Sequence, residues 1–586
     1  MSLGNLLNVS KLGIFASQGA LQTISHNITN ANTAGYSRQT VELESIPGSQ
    51  TVAGGTGVRI ADVRRQMDQL VDRRLELGTG ELGRLQTREK YMSLVEDVFN
   101  DMDGSGLSQG LEAFYDAADT LADNPGNAVA RYQVVSKADG VANEFNKMAT
   151  SLSESALPLD NEISVVLGDI NTRLKSLKEI NNLIVRNEAT NPSLDLKDQR
   201  QKMIMELGQI IDIRTLEFDN GDVQVMTSKG QELLADSVYS AQFGRSTQVT
   251  DTGFQGIKIG DREFDSSKVS GGQLGALLEL RDEVVHGANG YLTRLETLAD
   301  EVRFQFNKVN SQSVGKNLVT SLTGAVSLGN DLDTSLASLV TDTTSNDYKK
   351  GPVDANRVVD GRIVFATGTS DDALTPVTVN ITTDMSLTQV QQAIDGLDGV
   401  KAEITSDKKL KISAENSGGK LGVVVDESGL LAALGIGALF GGRGAGDMTV
   451  NAELLTDPDR VGVGRLNVDD LSNPTKVTHD DASSNGALAL GNLRTAKFDL
   501  FGNNASLTSH YATMVGELGS TINLDKESLL AQQSAQSFLS DIRESISGVS
   551  LEEELTDLIR FQRAFQASSK MVGVADELMQ TIIQMV

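Results

Sequence analysis

The chain has 586 residues, 79 of them acidic and 51 basic, for a formal net charge of −28. That length is too great for one hydrophobic core and predicts about three or four domains. The acidic balance excludes nucleic acid as a partner, because phosphate binding needs clustered cations. Since cysteine is absent, disulfides, thiolate metal sites and cysteine nucleophiles are excluded as well.

The hydrophobic stretches are too short to cross a membrane. None reaches the roughly 18 apolar residues of a membrane span, and the first residues lack the basic and apolar regions of a secretory signal. We therefore expect no membrane partner. A cytoplasmic location is the default expectation unless another export route exists.

A heptad pattern runs through the first 28 residues. Positions that alternate steps of four and three are Leu3, Leu7, Ser10, Ile14, Ser17, Leu21, Ile24 and Ile28. This spacing predicts a helix from about Ser2 to Ile28 with one apolar seam, interrupted by two serines. The asparagine-rich segment 27–36, which ends in Gly35 and Tyr36, predicts the end of that helix.

The C-terminal segment carries a matching pattern. Its seven-residue series is Leu551, Leu558, Phe565, Val572, Met579 and Val586. A second row holds Leu555 and Ile583 but is interrupted by Gln562, Ser569 and Asp576. The pattern predicts a coiled coil between the two ends of the chain, whose outer face remains apolar and suited to assembly.

Long stretches between the termini have the period of amphipathic helices. We predict helix from about 62 to 189, with breaks at 104–110, Asn124–Gly126 and Pro158. Inside it, a rod-like helix is indicated by the apolar series Ile163, Leu167, Ile170, Leu174, Leu177 and Ile184, with Asn181 between the last two. Further helices are predicted at about 195–210, 274–309 and 493–546.

Alternating residues predict strands elsewhere. Val41 and Leu43 should pair with Val58 and Ile60 across a turn at Gly54, Gly55 and Gly57, and Asp219–Asp222 should form the turn of a second hairpin, with strands continuing to about 268. Residues 311–492 are rich in Thr, Ser, Asp and Gly, with strands near 361–365 and 377–381 and one helix near 387–394. The fold class is therefore mainly α with β-rich parts, and 311–492 is a β-rich insert.

Segment 19–39, with Ala34, Gly35, Tyr36, Ser37, Arg38 and Gln39 at its end, resembles the N-terminal signature of bacterial flagellar axial proteins. Segment 551–586 resembles the C-terminal tail that this family shares. The residues at 35–39, together with 107–148, 194–234 and 377–436, are most similar to the hook-associated members. The resemblance implies a non-enzymatic structural subunit that is exported through the flagellar type III apparatus and resides in the extracellular flagellum.

The resemblance also implies partners and a domain plan. Other copies of the chain, the hook protein, the next hook-associated protein or filament, and an export chaperone would be the partners. Residues 1–35 and 548–586 would form the assembly domain, 36–310 and 493–547 a helical rod domain, and 311–492 an outer domain. Asn30, Asn32, Gly35, Tyr36 and Arg38 would join the seam residues in the assembly interface, and the seam gaps at Ser10, Ser17, Gln562, Ser569 and Asp576 would be completed by neighbouring subunits.

Patterns that would indicate catalysis or cofactor binding are missing. The histidines His26, His286, His479 and His510 lie far apart, so zinc is not expected, and Gly418-Gly419-Lys420 lacks the remaining residues of a phosphate-binding loop. We expect no metal and no cofactor. The residues leave two alternatives open: another axial subunit (hook, distal rod or second hook-associated protein), or a soluble helical interaction protein or adhesin.

Overall fold

The two ends of the chain lie side by side in the computed structural model. It describes residues 3–47, 56–100, 106–188, 193–235, 239–327, 332–339, 357–371, 373–472, 474–480 and 482–585. Helix α1 (Leu3–Asn30) packs antiparallel against the last helix, α13 (Leu551–Met585). Strands β1 (Gln39–Ile46) and β2 (Gly57–Arg65) form the first predicted hairpin and cover another side of α1. The predicted turn glycines Gly54 and Gly55, like Val586, lie outside the described residues.

A helical body follows the terminal pair. Its helices are α2 (Gln69–Val98), α3 (Leu107–Asp123), α4 (Ala128–Glu188), α5 (Leu194–Ile210), α6 (Gly272–Leu278), α7 (Tyr291–Ser311), α11 (Asn485–Asn492) and α12 (Leu507–Ser547). The predicted rod is part of α4, where Ile163, Ile170 and Leu174 are completely buried. Helix α12 returns along α2 and so connects the C-terminal part of the chain to the body.

Pro158 does not interrupt the chain as predicted. It lies inside α4, which continues without a break through 61 residues. Its side chain is exposed, whereas Ala156 and Leu159 on either side of it are buried in the core. Burial of these neighbours stabilises a continuous helix against the local cost of one proline, which is about 3 kcal/mol.

Two other helix boundaries differ from the prediction. The helix expected at 274–309 consists of α6, a π-helical segment (Glu279–Val285) and α7, separated by a turn that contains Gly287 and Gly290. The helix expected from residue 493 begins only at Leu507. Phe501 and Gly502 adopt positive φ values of 57° and 71° and form a hairpin turn before it.

Small sheets extend the body. The first has the order β3 (Ile213–Glu217), β4 (Val223–Thr227), β5 (Glu232–Ala235) and β6 (Tyr239–Ser240), and the second has β7 (Phe243–Val249), β8 (Gln255–Ile259) and β9 (Arg262–Phe264). The predicted hairpin at 219–222 is confirmed, since Glu217 pairs with Val223 and Gly221 has a φ of +78°.

The insert is β-rich, as predicted. Its sheets are formed by β10 (Ser321–Thr323), β11 (Gly361–Ser370), β12 (Ala373–Ile381), β13 (Val400–Ile404), β14 (Leu410–Ala414), β15 (Lys420–Asp426), β18 (Asn467–Val468) and β19 (Val477–Thr478). The orders are β15-β11-β12-β19-β18 and β10-β14-β13. Helix α8 (Leu387–Asp395) is the predicted amphipathic helix, and its buried Val390 and Ile394 belong to the core of the insert.

Part of the predicted insert packs into the helical body instead. The short elements here are α9 (Leu430–Leu434), β16 (Phe440–Gly441), β17 (Thr449–Val450) and α10 (Ala452–Thr456); the hairpin β20 (Phe498–Leu500) and β21 (Asn503–Ala505) follows α11. Phe440, Met448 and Leu490 lie in the same core as α3, α4 and α7. Buried Asn307 on α7 holds the returning chain: its amide donates to the Phe440 carbonyl at 2.8 Å and accepts from the Leu439 N–H at 2.9 Å.

Candidate assembly interface at the chain termini

The terminal helices share one antiparallel register. Asn27 Nδ2 donates a 3.0 Å hydrogen bond to Oε2 of Glu554, and a Cβ atom on Gly13 would lie 2.7 Å from Oγ of Ser568. These contacts are two heptads apart on each helix, so a single alignment explains both. The start of α1 therefore lies beside the end of α13.

On α1, one of the two predicted heptad rows contacts α13, and the other row lies beside that contact. Ser10, Ser17 and Ile24 are buried together with Ala20 and Asn27. The second buried row, which contains Ala20 and Asn27, thus lies one position before the predicted row, which contains Leu21 and Ile28. The predicted residues Leu3, Leu7, Ile14, Leu21 and Ile28 are half-buried.

On α13 the same displacement occurs. Leu558, Phe565 and Val572 are half-buried, and the completely covered positions beside them are Glu554 and Ala575. The other predicted residues are exposed: Leu551, Leu555, Met579 and Ile583. Residues three positions apart and residues four positions apart are both neighbours on a helix. The apolar spacing alone therefore did not show which of the adjacent rows on each helix would be buried.

The two serines of α1 belong to the contact within the chain. Ser10 and Ser17 are only 4% and 5% exposed, and their hydroxyls donate 2.8 Å hydrogen bonds to the Leu6 and Gly13 carbonyls. Such internal bonds satisfy a buried hydroxyl without a partner. The interpretation of these serines as gaps for neighbouring subunits is therefore wrong, whereas Gln562, Ser569 and Asp576 are exposed.

A buried polar cluster joins both ends of the chain. Arg38 Nε donates to Oε1 of Glu554 at 2.7 Å, and its Nη1 donates to Glu553 at 2.7 Å. Glu554 also accepts the Asn27 bond, and its side chain is 2% exposed. The Asn27 amide in turn donates to the Gln39 carbonyl and accepts from the Gln39 N–H, at 2.9 and 3.0 Å. This Asn27–Arg38–Glu554 cluster fixes the end of α1 against the start of α13.

Tyr36 completes the cluster on the α1 side. Its hydroxyl donates a 2.7 Å hydrogen bond to Oδ1 of Asn27 and lies 3.1 Å from Nδ1 of His26. Burial, reinforced by the nearby carboxylates of Asp195, Asp198 and Glu554, raises the pKa of the Tyr36 phenol far above its ordinary value. The hydroxyl therefore remains protonated and available as a donor.

The same segment is bound to the body. Asp198 on α5 accepts the Ser37 N–H and an Arg65 N–H, both at 3.0 Å. Arg543 near the end of α12 donates to the Gly35 carbonyl at 3.3 Å and to Asp72 at 3.0 Å. Gly35 has a φ of +86°, which other residues rarely adopt, and this explains the glycine of the signature.

The remaining signature residues lie at the end of α1. Asn30 Nδ2 donates to the His26 carbonyl at 3.1 Å, whereas the side chain of Asn32 is exposed. Within one chain, Tyr36 and Arg38 thus position the terminal pair. Their contacts with other subunits, like those of the other predicted interface residues, stay a prediction.

Several residues of this site were not predicted. Glu554, Asp198, Arg65, Asp72 and Arg543 have no short motif around them. The heptad pattern gave no signal for Asn27 and Glu554, because both lie one position before the predicted rows at Ile28 and Leu555, yet the structure shows them as buried polar residues between the paired helices. Such residues often fix the register of a coiled coil.

An apolar surface remains uncovered on α13. We call it the outer face; its large exposed residues are Leu551, Leu555, Ile559, Met571, Val574, Leu578, Met579, Ile582 and Ile583. Their exposed fractions reach 68% at Ile583. Exposed apolar residues concentrated on one element are typical of a surface that another molecule covers.

The described part of the chain offers little for metal chemistry or membrane insertion. Within it, no group of three or more His, Asp or Glu side chains could hold a metal ion. None of its helices is long and apolar enough to cross a membrane.

Comparisons with known proteins agree with this architecture. Residues 92–324 match the family model of the flagellar hook-associated protein FlgK helical domain, and 543–585 match that of the flagellar basal body rod FlgEFG protein C-terminal region. The solved structure of the flagellar hook junction protein FlgK from Burkholderia pseudomallei has the same fold, with a TM-score of 0.52. It is 14% identical and covers 81% of this chain and 100% of its own.

Similar sequences extend over the whole length. Flagellar hook-associated protein 1 of Salmonella typhimurium is 25% identical, covering 99% of this chain and 100% of the relative. The Bacillus subtilis protein of the same name is 26% identical, covering 98% of this chain and 97% of the relative.

The paired terminal helices, the helical body and these matches define a structural protein of the bacterial flagellar axis. The predicted resemblance is thereby confirmed. Within that class, the chain is similar over its full length to flagellar hook-associated protein 1. The similarity supports a place in the flagellum.

Proposed function

We propose that this chain forms a ring at the distal end of the hook and joins the hook to the filament. The paired helices α1 and α13 would bundle with those of neighbouring copies. Burial of the outer face would supply the assembly energy, at roughly 25 cal/mol for each Å² removed from water. Contacts with the hook protein on one side and with the next hook-associated protein or filament on the other would complete the junction.

The observation that carries this proposal is the outer face of α13. The helix already pairs with α1, and its exposed apolar residues are left uncovered by that pairing. Leu7, Ile14, Leu21 and Ile28 add half-buried apolar positions along the edge of α1. A monomer gains nothing from these residues in water, whereas a bundle of copies would bury them.

The polar cluster gives the outer face a fixed orientation. Because Asn27, Arg38 and Glu554 bind one another, and Asp198 and Arg543 bind the same segment from the body, the terminal pair leaves the body in one direction. Fixed geometry lowers the entropy lost on assembly. In this proposal Gly35, Tyr36 and Arg38 act by positioning the interface.

The domain plan and the export route belong to the same proposal. Residues 1–35 and 548–586 would form the inner wall, 36–310 and 493–547 the next shell, and 311–492 the outer surface. The chain would pass unfolded through the flagellar type III apparatus to the outside, bound by an export chaperone beforehand. It would have a structural role and no catalytic activity.

Paired substitutions test the assembly mechanism. We expect Leu555→Asp with Ile583→Asp to leave the body folded but to abolish attachment to isolated hooks, because charges cannot be buried in the bundle. Val249→Asp is the matched control: Val249 is 63% exposed on β7 and should tolerate the charge. Deletion of residues 1–35 should have the same effect as the double substitution. Normal attachment of the double variant would overturn the mechanism.

The cellular role is tested by deleting the gene. Electron microscopy should show hooks without filaments, and filament protein should accumulate in the medium. Filaments of normal number and length would refute the junction role.

A further inference from the structure

Arg465 lies where the insert meets the helical body. Its backbone N–H donates a 3.4 Å hydrogen bond to Oγ of Ser483. The carbonyl of nearby Val463 accepts the N–H groups of Gly486 and Ala487 on α11 at 2.8 and 2.9 Å. The next residue, Leu466, is buried in the core of the insert. The backbone of Arg465 is therefore held between two packed units.

The guanidinium of Arg465 is half-buried without a counter-charge. Its Nε atom is shielded from solvent and has no hydrogen-bond partner. Among the described residues, no carboxylate forms an ion pair with it, and the terminal nitrogens are neither bonded nor shielded. The Nε atom is thus enclosed by protein, whereas the terminal nitrogens face solvent.

Other arginines of comparable or greater burial are paired. Arg88 binds Asp525 and Glu279, Arg543 binds Asp72, and Arg281 binds Asp160 and Asp282. Burying part of a charged group without a partner carries a desolvation cost. Arg465 departs from the pattern of this chain, because nothing within the described residues compensates for the burial of its Nε atom.

The electrostatics agree with the geometry. Burial lowers the pKa of the Arg465 guanidinium below its ordinary value, and no neighbouring carboxylate opposes the effect. An incoming anion would restore the stability of the charged form. A planar guanidinium is suited to bind a carboxylate through two parallel hydrogen bonds.

We propose that Arg465 binds a carboxylate side chain of a second copy of this chain in the assembled ring. This rests on the proposed function, because it requires that copies lie side by side. Each copy carries 79 acidic residues against 51 basic ones, so a neighbour presents far more carboxylates than cations. Exposed Leu488 on α11, next to Ala487, supplies an apolar residue that could exclude water from such a contact.

The contact has two functions in an acidic ring. It offsets part of the repulsion between copies whose net charge is −28 each. It also selects one orientation between neighbours, because a single recessed cation can be reached from few directions.

Replacement by an uncharged residue of similar length tests the proposal. We expect full-length Arg465→Met to unfold at the same or a higher temperature than wild type, since an unpaired buried charge is removed. Its self-association should weaken at least tenfold by analytical ultracentrifugation. A purely structural arginine would give the opposite pattern, namely lower stability with unchanged association.

Arg362→Met is the matched control. Arg362 is also half-buried in the insert, but it binds Glu427 at 3.1 Å and the Leu471 carbonyl at 2.8 Å within the chain. Its loss should lower the stability of the monomer and leave association unchanged. Equal association of wild type and Arg465→Met would overturn the proposed contact but not the proposed ring. If the wild-type protein did not associate at all, both the ring and this contact would be overturned.

The lack of cysteine allows a second, direct measurement. Arg465→Cys introduces the sole thiol of the chain, which can carry a photoactivated crosslinker. In assembled mixtures with wild type, we expect covalent dimers joined at acidic residues of the second copy. Crosslinks confined to the same chain, or formed only with hook protein, would contradict the proposal.

Discussion

Asn27 and Glu554 are separated by 527 residues in the chain, and their side chains share a buried hydrogen bond of 3.0 Å. Glu554 also binds Arg38, so one carboxylate joins α1, the segment after it and α13. The bond therefore exists only when both ends of the chain are present and correctly paired. It makes the geometry of the proposed interface dependent on the whole chain.

Loss of the charge at this position should loosen the terminal pair. In Glu554→Gln the Arg38 guanidinium keeps its burial but loses its one buried ionic partner and retains the more exposed Glu553, which costs about 3 kcal/mol. Amide hydrogen exchange in α1 and α13 should accelerate by about 100-fold. Glu553→Gln is the control, because this partner of Arg38 is 63% exposed and its loss should cost less than about 1 kcal/mol. Equal effects of the two changes would contradict the role of the buried carboxylate.

The contact between Gly13 on α1 and Ser568 on α13 should be sensitive to one added methyl group. A Cβ on Gly13 would lie 2.7 Å from Oγ of Ser568 but 3.5 Å from its Cβ. Gly13→Ala should therefore destabilise the pair by about 1–3 kcal/mol, and Ser568→Ala in the same chain should restore most of the loss. The coupling is measured by a double-mutant cycle on hydrogen exchange. Gly573→Ala, which meets no atom within 4 Å, should be neutral or stabilising.

Removal of the proline from the long helix should stabilise the body. Pro158 lacks an N–H and leaves the carbonyl four residues earlier without its helical partner. Since its side chain is exposed, Pro158→Ala removes no core contact. We expect a gain of up to about 3 kcal/mol, seen as slower exchange of amides near residues 154–162. Faster exchange there would show that the proline supports the helix.

The buried carboxyl of Glu76 should make stability depend on pH. Burial raises its pKa above the ordinary value of 4.5, although Thr215 donates a hydrogen bond to it. The charged form is thus less stable in the folded state, and this contribution to stability declines as the pH rises from about 4.5 through the folded pKa. Glu76→Gln should be more stable than wild type near neutral pH, and the difference should vanish in acid. A difference independent of pH, measured by denaturant unfolding, would contradict this.

Local patterns predicted much of the fold. The rod within α4, the hairpin at 219–222 and the helix at 387–395 follow from periodicity and turn residues that lie within a few positions of one another. The errors occurred where distant contacts outweigh local preference. At Pro158, burial of Ala156 and Leu159 decides, and at 493–506 a hairpin replaces helix.

The candidate site was predicted in part for the same reason. Gly35, Tyr36 and Arg38 were identified through the family signature, but the residues that bind this segment, Glu554, Asp198 and Arg543, come from three other segments. No spacing rule connects residues that meet only after folding. The signature indicated where the site is, and the contacts show how it is held.

Taken alone, the sequence determined that both ends are apolar heptad helices, because a period of three and four residues is a property of the chain itself. It left undecided which apolar rows pair within the chain and which remain outside. Tertiary structure decided this through the single register set by Asn27 with Glu554 and Gly13 with Ser568. The physical reason is that steps of three and four are equivalent on an isolated helix, and only a partner surface distinguishes them.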